Sequence, residues 1–189
     1  RPADAILRVA RKRRAGLIVM GTHGQTGFQP AILGWVSEMI ARRSPIPVLT
    51  VRKAMGRLRS ILVAVHEDEA AGRELAFAAE LALRLRVPLQ VLYFSDASAR
   101  GPEAEERIAA MIRALPPALR KTCRLRPKTA RGNAEKEILT EAKRHDLLVI
   151  VARREMLFKE LLLGSTTDRV LQLSPIPVLT LPPRSHRRL

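Results

Sequence analysis

Cysteine occurs once in this chain of 189 residues, at Cys123. One thiol excludes an internal disulfide and any cysteine-based metal cluster, and it suits a cytoplasmic protein. Read by itself, Cys123 is a small hydrophobe on a strand. Aromatic residues make up only 3% of the chain, so stacking platforms for single-stranded nucleic acid are scarce. No apolar run reaches the ~20 residues that a membrane-spanning helix needs, and no segment has the pattern of a signal peptide. Acidic residues are the minority charge, 18 against 34 basic, for a formal net charge of +16.

That charge raises nucleic acid or an anionic membrane surface as partners. Its distribution argues otherwise. Arginine supplies 27 of the 34 cations, and the dense clusters are "RKRR" at Arg11–Arg14 and the tail at Arg184–Leu189. The first falls at a helix C-terminus, where cations complement the macrodipole. With few aromatics to interleave, the cations read as solvated faces and nucleic acid is not the expected partner.

What the sequence does have is a repetition. "SPIPVLT" stands at Ser44–Thr50 and again at Ser174–Thr180, an offset of 130. At that offset Leu17 falls on Leu147, Val19 on Val149, Phe28 on Phe158, and Leu33-Gly34 on Leu163-Gly164. "ILRVA" before the first block matches "ILTEA" before the second when two extra residues are allowed. A duplicated unit follows. The second copy begins near Ser60, so the counterpart of its first strand would lie about 70 residues before Arg1 by the same repeat arithmetic. The expected organisation is the tail of one domain over 1–53, a complete domain over 54–183 and a basic tail over 184–189.

Within the second copy, strands alternate with helices. "SILVAVH" at 60–66 is a short run rich in β-branched residues, a buried strand by its length. Residues 70–86 place Leu75, Ala78, Ala79, Ala82 and Leu85 on one helical face. A strand over 88–94, a helix begun by Pro102 and ended by Pro116-Pro117, and a strand around 122–129 follow. Asn133 caps a helix running to about His145, with Glu135 and Glu137 early and Lys143 late. "DLLVIVA" is a strand, 164–173 a helix and "PIPVLTL" the last strand. Such alternation predicts an open parallel sheet of five strands covered by helices on both faces, once per copy. Proline cannot donate to a ladder, so each "PIPVLT" strand is expected at a sheet edge. Such edges invite docking of the copies, or of a second chain, through Pro45–Arg52 and Pro175–Pro182.

The stretch "GTHGQTGFQPAILGW" follows the buried strand "LIVM" and precedes a helix starting near Leu33 or Gly34. Glycines there let backbone N–H groups approach an anion, and the helix N-terminus adds a favourable dipole. It is neither a Walker A loop nor a Gly-x-Gly-x-x-Gly fingerprint. A glycine-rich turn that binds nothing is the competing reading.

From these residues the chain resembles the universal stress proteins. Gly21, Gly24 and Gly34 fit the pattern of the ATP-binding members: Gly, two residues, Gly, nine residues, Gly, then Ser or Thr. The endings "PVLTV" and "PVLTL" and the strand "ILVAV" are similar to the family's last and first strands. The resemblance implies the duplicated five-strand α/β fold, pairing through the last strands, and ATP, with or without Mg²⁺, as ligand. Carried over position by position, it implies nucleotide contacts at Met20, Gly21, Thr22, His23, Gly24, Gln25, Gly34, Trp35, Val36 and Ser37. In the second copy it implies contacts at Val65, His66, Gly164, Ser165 and Thr166.

Several positions depart from the pattern. Trp35 stands where the hydroxyl residue belongs, and Ser37 is expected to compensate in part. Val151 and Arg154 replace the first two glycines of the second copy, where Arg153 and Arg154 could supply charge instead. His66 replaces the family's Asp at the end of the first strand. His23 has no Ser or Cys partner for a triad, and four histidines and one cysteine give no metal-ligand spacing. The expected function is a non-enzymatic, adenine-nucleotide-binding stress regulator whose second copy is degenerate. The alternative is a structural or regulatory interaction domain without ligand, such as the soluble tail of a transporter.

Overall fold

The computed structural model describes residues 1–21, 34–52, 56–66, 71–94, 102–122, 125–130, 133–152, 154–157, 160–163 and 165–182. Cys123, the glycine-rich loop beyond Gly21 and the basic tail lie outside them. The chain opens with α1 (Pro2–Lys12), which has proline and Asp4 in its first turn and Arg11 and Lys12 in its last, an order that suits the helix dipole. Then come β1 (Ile18–Gly21), α2 (Trp35–Arg43) and β2 (Val48–Val51). The longer second segment runs β3 (Ile61–His66), α3 (Ala71–Leu85), β4 (Leu89–Phe94), α4 (Pro102–Ala114), α5 (Pro117–Thr122) and β5 (Leu125–Ala130). It continues through α6 (Ala134–Ala142), β6 (Leu147–Val151), β7 (Arg154–Leu157), β8 (Glu160–Leu163), α7 (Ser165–Leu173) and β9 (Val178–Leu181).

Asn133 caps α6 as its sequence position predicts: its side chain accepts from the Lys136 N–H at 3.1 Å. The β7–β8 hairpin was not expected. "REML" and "ELLL" are built of good helix formers, yet the two pair antiparallel as a separate two-stranded sheet.

The main sheet has seven strands, ordered β1-β2-β9-β6-β3-β4-β5, rather than the five expected. The two segments share one sheet because β2 and β9 pair with each other, antiparallel, through Val48↔Thr180, Leu49↔Leu179 and Thr50↔Val178. The other neighbours in the sheet are parallel. Both "PIPVLT" strands are therefore interior and not edge strands. Their prolines precede the ladder and serve it as acceptors: Ile18 N–H donates to the Pro47 carbonyl and Leu148 N–H to that of Pro177, each at 3.0 Å. The serine before each block makes the same turn, Ser44 with Ile46 and Ser174 with Ile176.

Apolar side chains fall into three clusters. One lies between the sheet and α3, α4 and α5, and includes Ile61, Val63, Val65, Leu75, Tyr93, Val149 and Leu179. A second, on the opposite face, joins Leu62, Leu92, Leu148 and Ile150 to Ile138 of α6 and Val170 of α7. The third packs α1 and α2 on the first segment through Ala3, Leu7, Ile18, Ile40 and Val48.

Ionic contacts close the joint between the segments. Arg42 of α2 bridges Glu38 on its own helix and Asp168 of α7, the latter at 2.6 Å. Burial is the main force raising the Asp168 carboxyl above its ordinary value of 3.8, the charge of Arg42 opposes it, and that of Glu38 adds to it. Arg52 donates to the carbonyls of Leu171 and Gln172 at the end of α7, and burial lowers its pKa.

Candidate functional site

Open α/β sheets bind ligands beyond the carboxyl ends of their strands, where the chain switches from one side of the sheet to the other. In the second segment that point lies between β3 and β6. From β3 the chain proceeds outward to β4 and β5, and it returns on the other side through β6 and β9. A cavity of about 110 Å³ opens there. Ala64 and His66 come from β3, where the period of two puts both on one face, and Phe94 ends β4. Ile150 and Val151 close β6, Ala134 and Ile138 are one turn apart on α6, and Thr166, Thr167 and Val170 begin α7. Glu74 reaches the cavity from α3 and is buried. The walls are apolar, while the histidine, the carboxylate and two hydroxyls supply the polar groups. Such a lining suits a flat ring system with polar edges.

Of the second-copy positions expected to contact nucleotide, the cavity brings together His66 and Thr166. Val65 is a correction: it is fully buried and belongs to the cluster on the other face of the sheet. A strand buried on both faces shows no alternation of polarity, so its sequence does not reveal which residue faces the site. Ser165 opens α7, while Gly164 and Arg153 lie outside the described residues, and Arg154 falls on β7. Glu74, Phe94, Ile138, Ile150 and Thr167 were missed. Their signal was present only in part, as the i, i+4 pair Ala134 and Ile138 on a helix face.

In the first segment, Thr22, His23, Gly24 and Gln25 lie outside the described residues. Met20 and Val36 are partly buried and pack against the α1–α2 cluster. Gly34 is the N-cap of α2, with no side-chain cap, and Trp35 is 53% exposed. Ser37 is buried, and its hydroxyl donates to the Gly21 carbonyl at 3.0 Å. Thr167 does the same to the Val151 carbonyl at 3.5 Å. The hydroxyl of Ser37 thus ties the helix start to the strand end, a structural use that corrects its expected role toward phosphate. The first turn of α2 still presents backbone N–H groups that no helical carbonyl accepts. Among the described residues no three His, Cys, Asp or Glu side chains converge as metal ligands, and no helix is long and apolar enough to cross a membrane.

Comparison with known proteins agrees with this fold. The chain is 29% identical over 167 residues to Universal stress protein Slr1230 of Synechocystis sp., covering 87% of this chain and 57% of that relative, so it spans a little over half the relative's length. Its structure superposes on a universal stress protein from Archaeoglobus fulgidus with a TM-score of 0.77 at 21% identity, over 97% of this chain and 67% of the other. A universal stress protein solved in complex with cAMP superposes with a TM-score of 0.53 at 18% identity, over 68% of this chain and all of the other. The model of the universal stress protein family matches residues 1–52 and again 57–182, and the chain belongs to that family.

Proposed function

We propose that this chain is an adenine-nucleotide-binding regulator of the universal stress type, a binding protein and not a catalyst, built as a tandem form and working in the cytoplasm. The observation that carries the reading is the cavity at the switch point between β3 and β6, where His66, Glu74 and Thr166 stand among apolar walls. A cavity of that size takes a base, with the phosphates outside it near the start of α7. The cAMP complex of a structural neighbour supports the choice of ligand class. ATP, with or without Mg²⁺, is the first ligand to try. The glycines beyond Gly21 make a second phosphate site in the first segment. His66 offers a neutral donor or acceptor to the base where the family places an anion.

Thermal unfolding with and without 1 mM Mg-ATP or cAMP tests the proposal. A site with a Kd near 10 μM gains about 2.7 kcal/mol at that concentration, on the order of 5–10 °C for a chain of this size. Thr166→Trp blocks the cavity and Gly24→Arg blocks the loop. Loss of the shift in the first variant assigns binding to the cavity, and loss only in the second assigns it to the loop. A ligand-independent midpoint in the unmodified chain rejects nucleotide binding and leaves the interaction-domain reading.

A further inference from the structure

Among the described residues no strand pairs with the outer side of the edge strand β1, and residues that the second segment buries are open on the first. β1 pairs with β2 as β6 pairs with β9, in the same register offset by 130: Ile18↔Val48 matches Leu148↔Val178. Yet Val19 is 61% exposed where Val149 is 0%, and Leu17 is 45% exposed where Leu147 is 4%. On α1, Ile6 is 37% exposed where Ile138 of α6 is 5%. Val149 and Leu147 are covered by β3 beside them and by α3 above, in the cluster that holds Ile61, Val63 and Leu75. Ile138 packs on Leu62, from the other face of the same strand. Every one of these exposed residues is missing the same thing.

We infer that the β1 edge, with Leu17, Val19 and Ile6, is a docking surface for one parallel β-strand followed by a helix, a polypeptide segment with the apolar pattern of Ile61–Leu85. The inference is independent of nucleotide binding. It continues a sheet already formed: the site is the next position of the β9-β2-β1 ladder, and the equivalent position beyond β6 is filled by β3. Ile18 N–H is turned toward β2, so alternation turns the N–H groups of Val19 and Gly21 to the open side. A second copy of this chain fits less well. Two β1 edges related by a two-fold would pair antiparallel and satisfy the backbone, but they would bring no helix over Leu17 and Val19. The second segment also anchors β3 through Asp146, whose carboxylate accepts the N–H groups of Arg59 and Ser60 at 3.0 Å. Gly16 stands at the corresponding place just before β1, so docking there depends on the ladder and on apolar contact.

The test supplies the strand and helix directly. A peptide of residues 57–86 is joined ahead of Arg1 by a 15-residue Gly/Ser linker, whose span of about 20 Å exceeds the length of α1. Amide exchange at Val19 and Gly21 is expected to slow by at least about 100-fold relative to the untethered chain. Val19→Lys is expected to abolish that protection while shifting the unfolding midpoint of the untethered chain by less than about 2 °C, because its side chain is solvated there. Should the tethered chain misfold, the same peptide added in trans at up to 1 mM is read by backbone amide shifts of the untethered chain, again at Val19 and Gly21. Exchange and shifts at those residues that ignore the peptide in both formats overturn the inference. So does an untethered chain that is already dimeric at 10 μM, with both amides protected, and that Val19→Lys makes monomeric. That result assigns the edge to a second copy.

Discussion

Arg42→Ala should open the joint between the two segments, and its cost should depend on pH in a way few other substitutions would. Arg42 holds two carboxylates, Glu38 and Asp168, with side chains 14%, 24% and 19% exposed. Without the guanidinium, two partly buried negative charges face each other with no cation between them. Removing one partner of a fully buried pair costs about 3–5 kcal/mol, and of an exposed pair less than about 1 kcal/mol. The intermediate burial here puts the loss near 2 kcal/mol at pH 7, or about 4–8 °C in midpoint. Burial already raises the Asp168 carboxyl above 3.8 in the folded protein. The folded state therefore holds that proton more tightly than the unfolded state. Ionising it costs stability as pH rises from the unfolded value through the raised folded one, and protonation relieves that cost. The deficit of Arg42→Ala relative to the unmodified chain should thus shrink below about 1 kcal/mol as pH falls toward 4. Urea denaturation of both proteins at several pH values from 4 to 7 measures it. Arg42→Met, which keeps most of the aliphatic stem, should show the same pH dependence. An equal deficit at pH 4 and pH 7, or one under about 0.5 kcal/mol throughout, would refute the electrostatic account of the joint.

Two further substitutions probe the second segment. Asn133→Ala removes the side-chain acceptor for the Lys136 N–H and should cost about 1 kcal/mol by urea unfolding, whereas Asn133→Ser should restore most of it. The buried Glu141 accepts from Lys128 at 2.5 Å, a bond that, with nearby cations, holds its carboxyl below the ordinary 4.5 against the effect of burial. Its contribution is present above the unfolded value and is lost as pH falls through the folded one. Glu141→Gln should therefore lower stability by about 1–2 kcal/mol at pH 7 and flatten the acid limb of the stability profile. A parallel acid limb in variant and parent would count against the bond.

Much of this arrangement was legible in the residues. β-Branched runs marked β3 and β6, a small-residue face marked α3, and Asn133 marked the start of α6 because its side chain can replace a missing backbone acceptor. The repeated "SPIPVLT" foresaw that the two last strands would meet. It did not foresee that they would become interior, since the rule that confines proline to edges applies within a ladder and these prolines stand just before it. The count of five strands treats each copy as a sheet of its own, whereas the pairing of β2 with β9 merges the strands of both segments into one sheet of seven. The pairing of 154–157 with 160–163 defied the helix-forming composition of both strands. Of the residues lining the cavity, His66 and Thr166 stand at positions that the family resemblance names, whereas Glu74 and Phe94 come from elements whose own sequences read as ordinary core. The hydroxyl of Ser37 resembled a phosphate ligand in one dimension and is a strut in three.

The antiparallel seam between β2 and β9 has a consequence for what the molecule can address. Strands on its two sides run in opposite senses, so the carboxyl ends of β1 and β6 emerge from opposite rims of one sheet. A ligand beyond β1 and another beyond β6 would never see each other, and each would present its outer surface in the opposite direction. Any communication between them crosses the three residue pairs of that seam, or the Arg42 and Arg52 contacts with α7 beside it. Those pairs cannot slide gradually, because a one-residue slip would turn buried side chains to the other face. The seam therefore transmits as a rigid spar or lets go altogether, and whatever the two rims hold is kept at a fixed spacing, back to back.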